Sequence, residues 1–273
     1  MMKLKPFCAL LTLFVMTIAG CGQKEQKNNS ESRPEKSEVN DRFKASDSSK
    51  QKETMTFFKA QGNEPFWNLT LNDQQLIFTS MLEGYEEFIT PLPQVNRAAD
   101  ANVKRYRAAT EKVTLTATIT HEPCADTMAD NNYEYQVALE VQLTGDSKPV
   151  SLKGCGNYVT DYRLQDIWIL EKLGEEIVQE GWFAKEPPTM EVNVAENRFT
   201  GYAGCNQMRG NIFWEPGLLR FTDVISTRKA CLPENKEGEF LDKLRKTTTY
   251  SIENNRLMLS NPNHPLMVFR KTD

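Results

Sequence analysis

The chain predicts a mainly β fold built as two units, and three observations carry that prediction. Apolar and polar residues alternate with period two in many short runs. Those runs are closed by Gly, Pro, Asn or Asp, as antiparallel strands joined by tight turns require. Only one segment repeats its apolar residues with helical spacing, so the class in detail is α+β, with its helix in the second unit. Sheets of this kind bury one face and expose the other.

Residues 1–20 are set apart from the rest. Lys3 and Lys5 precede an apolar stretch from about Phe7 to Ile18 that lacks any acidic residue. This is the layout of a secretory signal. The quartet Ile18-Ala19-Gly20-Cys21 resembles the lipobox of bacterial lipoproteins. That resemblance implies removal of residues 1–20 and lipidation of Cys21 as the mature first residue. The apolar run is too short to span a bilayer, so the lipid makes the attachment, and several acyl chains make it firm. Gly22, rather than Asp, follows the cysteine, which resembles the outer-membrane default of sorted lipoproteins. An anchor in the outer membrane, facing the periplasm, is the expectation.

Residues 21–54 read as a disordered tether. Between Gln23 and Asn40, Val39 is the sole aliphatic side chain apart from Pro34, and such a segment buries too little apolar surface to offset its ordering entropy.

The first folded unit is placed at 55–163. Trp67-Asn68-Leu69-Thr70-Leu71 alternates, Asn72-Asp73 turns, and Leu76-Ile77-Phe78 follows. Val113 to Ile119 and Tyr135 to Leu143 are further alternating strands. The second unit, 164–273, opens with Ile167-Trp168-Ile169-Leu170. Met190 to Val194 and Arg198 to Tyr202 flank a turn at Ala195-Glu196-Asn197; Asn211 to Trp214 and Leu218 to Phe221 flank Glu215-Pro216-Gly217. A helix is expected from about Glu234 to Lys246, with Phe240, Leu241 and Leu244 on one face and Lys243, Arg245 and Lys246 toward its C-terminal end. Leu257 to Leu259 and Leu266 to Phe269 close the chain as a hairpin.

Composition excludes some functions. Lys and Arg total 33 against 37 Asp and Glu, for a net charge of -4, so no basic field for nucleic acid exists. Cys8 goes with the signal and Cys21 with the lipid, leaving Cys124, Cys155, Cys205 and Cys231. In an oxidising compartment an even number reads as disulfides. Spacing favours Cys124–Cys155 and Cys205–Cys231, each closing a loop of about 30 residues and contributing roughly 3 kcal/mol by chain entropy. A zinc site needs tight cysteine pairs that are absent here, so neither metal nor cofactor is expected.

Gly201-Tyr202-Ala203-Gly204-Cys205-Asn206 and Thr227-Arg228-Lys229-Ala230-Cys231 resemble the signatures of the META domain, the HslJ-like family. The resemblance covers roughly Gln165 to Lys271. It implies a compact, open-barrel-like β domain with one helix and no established enzymatic activity, associated with envelope stress, drug tolerance and, in some members, secretion or motility. Gly62-Asn63-Glu64-Pro65-Phe66-Trp67, Cys124-x-Asp126-x-Met128 and Gly154-Cys155-Gly156 are similar to an uncharacterised lipoprotein domain. That similarity supports the Cys124–Cys155 pairing and implies a second β-rich unit.

Among chemistry-bearing residues, His121, Glu122, Cys124 and Asp126 stand close together, but a disulfide at Cys124 leaves no thiolate to act. His264 lies in a hairpin turn. Glu64 and Trp67 belong to an aromatic opening strand that reads as core. Asn206, Arg209, Thr227 and Arg228 make the better surface: the Cys205–Cys231 bond draws their loops together, and the two guanidiniums then offer donors to a carboxylate or phosphate. Asn206 and Thr227 equally suit local backbone capping. The expectation is a non-catalytic envelope module, bound to the membrane through Cys21, with a stress-response role and a protein partner or apolar small ligand in the barrel mouth. The alternatives are an inhibitor of a wall-attacking enzyme such as lysozyme and, further off, a hydrolase built on Glu122 and Asp126.

Overall fold

The computed structural model describes residues 54–125, 131–262 and 264–272. Residues 1–53, on which the expected export signal, the lipidation of Cys21 and most of the expected tether fall, and Asp126 with Met128 of the first motif lie outside the described residues.

The first half contains β1 (Thr56–Asn63), β2 (Phe66–Asn72), β3 (Gln75–Ser80), β4 (Glu87–Pro91), β5 (Val95–Arg97), β6 (Val103–Ala109), β7 (Val113–Thr120), β8 (Cys124–Ala125), β9 (Asn132–Tyr133), β10 (Tyr135–Leu143) and β11 (Val150–Tyr158). Nine form one antiparallel sheet in the order β4-β3-β2-β1-β11-β10-β7-β6-β5, while β8 pairs with β9. Alternation dictates the buried face. Register sets Val137 opposite Ile119, Leu139 opposite Ala117 and Val141 opposite Leu115, and all six are buried.

A 3-10 turn at Tyr162–Leu164 leads into the second half. Its elements are β12 (Ile167–Leu173), β13 (Glu176–Ile177), β14 (Thr189–Asn193), β15 (Arg198–Tyr202), β16 (Gln207–Glu215), β17 (Leu218–Ser226), α1 (Glu237–Lys246), β18 (Thr249–Glu253), β19 (Arg256–Asn261) and β20 (His264–Lys271). The sheet runs β17-β16-β15-β14-β12-β20-β19-β18, with β13 appended to β12. It curls until its outer strands approach, and Leu219 N donates to Thr248 O at 3.0 Å. Phe240, Leu241 and Leu244 of α1 are buried, with the Phe240 ring 6.3 Å from that of Phe269 on β20. The architecture is two curled antiparallel half-barrel sheets with a single α-helix among the described residues.

One expectation needs correction. The helix starts at Glu237 rather than Glu234: Asn235 turns the chain just before it, its side chain accepting from Glu237 N at 2.9 Å, and Lys236 is the N-cap residue. The inside of the second half-barrel holds Trp168, Leu170, Met190, Phe199 and Phe269, all almost fully buried.

The two sheets share one hydrophobic core. Tyr158 of β11 meets Trp214 of β16 edge-on, with ring centres 6.4 Å apart. His121, just after β7, lies 5.5 Å from Phe213. Asp161, in the connection, has no solvent exposure; it accepts from both Arg163 and the Tyr250 hydroxyl, which in turn accepts from Trp214 Nε1. These bonds tie the crossover to β18 and, through Tyr250, to β16 of the second sheet.

Candidate functional site

The four residues singled out around the second cysteine pair do not form one surface. Cys205 and Cys231 are bonded, with Cα atoms 6.0 Å apart. Asn206 lies beneath them, 3% exposed. Its Oδ1 accepts from Thr227 Oγ1 at 2.8 Å and Lys229 N at 2.7 Å, while its Nδ2 donates to Glu237 Oε1 at 2.8 Å. Its backbone N–H donates to Glu237 Oε2 at 2.5 Å. The amide therefore brackets β16, the loop after β17 and the start of α1. Gly204 adopts φ +110°, and a Cβ there would sit 2.1 Å from the Phe183 ring, so both its backbone and its bareness are required. Cys205, Cys231 and Glu237 have the proximity of a metal-binding trio. The disulfide, however, occupies both sulfurs, and Asn206 occupies both carboxylate oxygens.

Arg209 and Arg228 are exposed, and neither guanidinium has a hydrogen-bond or ion-pair partner among the described residues. Arg209 lines a depression of about 580 Å³ on the outer face of β14–β17, beside Arg198, Glu191, Glu196 and Asp223. Arg228 does not line it. The wall is mixed in charge, which suits a polar or zwitterionic contact more than an apolar one.

The first-unit motifs converge on packing. Trp67 is 1% exposed and donates its Nε1–H to Lys153 O at 3.3 Å. Its indole lies over Gly62 and Gly154: a Cβ on Gly62 would stand 2.1 Å from Nε1, and one on Gly154 2.5 Å from the ring. Cys124 is bonded to Cys155 within the same cluster, with Cα atoms 5.6 Å apart. Glu64 and Glu122 are exposed. His121 faces Tyr135, 4.9 Å away, and Phe213. His264 is exposed at the start of β20, where the register pairs it with Asn261.

A second cluster, unmarked by any motif, lies between the sheets. Glu215, at the end of β16, is 4% exposed. It accepts from Lys104 Nζ at 2.7 Å, Asn102 Nδ2 at 2.9 Å and the Tyr135 hydroxyl at 2.8 Å, all three contributed by the first sheet's half. Lys104 also donates to Asn102 Oδ1 at 2.7 Å and sits 5.3 Å from the centre of the Tyr158 ring. Burial alone would raise the Glu215 pKa, but three donors around one carboxylate outweigh it and hold the acid below its ordinary range. Burial also lowers Lys104, and one carboxylate only partly compensates. Tyr135 is driven far up by burial and by its bond to the Glu215 carboxylate. The arrangement is that of an ionised pair at neutral pH, desolvated, with the carboxylate held by three donors.

Sequence reasoning passed over this cluster, although one signal existed. Lys104 shares the inward parity of β6 with Tyr106 and Ala108, where a lysine is out of place unless paired. Glu215 offered no such signal, since it and its neighbour Trp214 are both buried at the hairpin end.

Residues 159–273 match the family model of the META domain, which shows the resemblance drawn from the two signatures for that segment. One NMR structure is 19% identical with a TM-score of 0.32, covering 40% of this chain and 90% of its own. Another, of a protein from Burkholderia xenovorans, is 20% identical with a TM-score of 0.34, covering 40% of this chain and 82% of its own. No curated protein matches the chain.

Proposed function

We propose that this chain is an envelope lipoprotein, held to the outer membrane through a lipid on Cys21, whose folded part is a non-catalytic binding module serving a stress response. The META match supports the family-level half of that reading. The anchor rests on the Ile18-Ala19-Gly20-Cys21 quartet, and the observation that carries the binding role is the division of labour around Cys205–Cys231. Asn206, Thr227 and Gly204 are used up in holding the corner, whereas the guanidiniums of Arg209, on β16, and Arg228, on the loop after β17, are exposed and unpartnered among the described residues, as two separate points of contact. Exposed guanidiniums on a rigid, stapled corner are suited to recognising an acidic group on a partner.

The test is complementation of a deletion strain under envelope stress. The Arg209→Gln, Arg228→Gln double variant is expected to fold normally and to lose protection, and a Cys21→Ser variant to lose labelled palmitate and membrane fractionation. Full protection by the double variant would remove this surface from the function. Retained palmitate in Cys21→Ser would remove the anchor.

A further inference from the structure

The seam between the two sheets opens into a cleft of about 720 Å³. Arg97 enters it from the end of β5 and Arg220 from β17, so the two guanidiniums come from different sheets. Both are exposed, and neither has a hydrogen-bond or ion-pair partner among the described residues. The carboxylate in the wall, Glu215, does not serve them, because Lys104, Asn102 and Tyr135 already occupy it. Asp100, exposed on the β5–β6 turn, is the other acid there. Lys104 is 4% exposed and uses two of its three Nζ protons, on Glu215 and Asn102. Phe213 and His121 add two aromatic rings beside these charges, 5.5 Å apart and inclined at 56° to each other. Field lines concentrate where cations face a cleft with low-dielectric walls, and the charge of Arg97 is close enough to add to the lowering of Lys104 that burial begins.

We propose that this cleft is a binding site for a small soluble molecule bearing a phosphate or carboxylate, with the anion held between Arg97 and Arg220 and its apolar body set in the angle between the Phe213 and His121 rings. Pockets between domains are common ligand sites because two rigid walls contribute groups independently. A ligand bridging Arg97 and Arg220 would tighten the seam by linkage, since it binds only when both sheets are in place. This surface is separate from the Arg209 depression and does not rest on the function proposed above.

The test is titration of the full mature chain, isotope-labelled and carrying Cys21→Ser, with phenyl phosphate, inorganic phosphate and benzyl alcohol, followed by amide chemical shifts. Phenyl phosphate is expected to shift the amides of Arg97, Lys104, Phe213 and Arg220 saturably, inorganic phosphate more weakly, and neutral benzyl alcohol not at all. The Arg97→Gln, Arg220→Gln variant is expected to unfold at the same temperature and bind phenyl phosphate at least about tenfold more weakly. Absence of saturable shifts at these amides overturns the proposal. So does unchanged affinity in the double variant, or shifts confined to the Arg209 face.

Discussion

Glu237 and Glu215 are both buried carboxylates of the second sheet's half, and they do different work. Glu237 accepts from one residue, through the backbone and side-chain nitrogens of Asn206, inside a corner already closed by a disulfide. Glu215 accepts from a cation, an amide and a phenol that arrive together from the other sheet. The first bond set is local and redundant with a covalent staple. The second is a clasp across a seam where hydrophobic contact is its main companion. Recognisable motifs mark the local corner, while unremarkable residues make the clasp.

The largest effect that bears on this contrast comes from breaking the clasp on one side. Lys104→Met leaves Glu215 buried without a cation and is expected to cost about 3–5 kcal/mol in urea denaturation. Adding Glu215→Leu should restore most of that loss, because an apolar pair of similar volume removes the stranded charge. A single-variant cost under about 1 kcal/mol, typical of an exposed ion pair, would mean that the seam is held by packing alone.

What was legible follows from the same physics. β10 and β15 read directly, because their alternation is uninterrupted and their turns are explicit. β6 was hidden by Lys104, Arg105 and Arg107, three cations in a strand whose apolar face is carried by Tyr106 and Ala108. β11 was hidden by Gly154 and Gly156, whose missing side chains make room for Trp67 and for Phe58 and Ala60, so that packing against other strands erased the period-two signal. In the site, Asn206 with Thr227 was readable as a local hydrogen-bonding pair because the partners lie near one disulfide. The Lys104–Glu215 pair joins residues 111 apart, and no spacing rule connects them.

The corner gives the middle-sized effect. Asn206→Ala removes one of the two donors to Glu237 and the acceptor shared by Thr227 and Lys229, while the backbone N–H bond to Glu237 stays, at a cost of about 1–3 kcal/mol for the buried groups left unpaired. The disulfide should keep the corner assembled, so the loss is expected to stay below that of Lys104→Met. If the order is reversed, the signature corner and not the seam carries the fold.

Acid titration gives the smallest and most selective comparison, because it acts on the seam without a mutation. Glu215 is held below its ordinary 4.5: burial pushes it up, but Lys104, Asn102 and Tyr135 together pull it further down. Asp161, likewise buried, is held below 3.8 by Arg163 and Tyr250. A carboxylate with a lower pKa in the folded state than in the unfolded state binds fewer protons when folded. Its contribution is therefore complete above the unfolded value and is lost as pH falls through the folded one. Stability of the wild-type chain is expected to be level from neutral pH to about 5, then to decline below the ordinary carboxylate range. The Lys104→Met, Glu215→Leu variant should show a shallower decline, with Asp161 the remaining seam carboxylate, and adding Asp161→Asn should flatten it further. An acid limb identical in wild type and double variant would locate the proton uptake elsewhere, and the ionised clasp between the sheets would have to be given up.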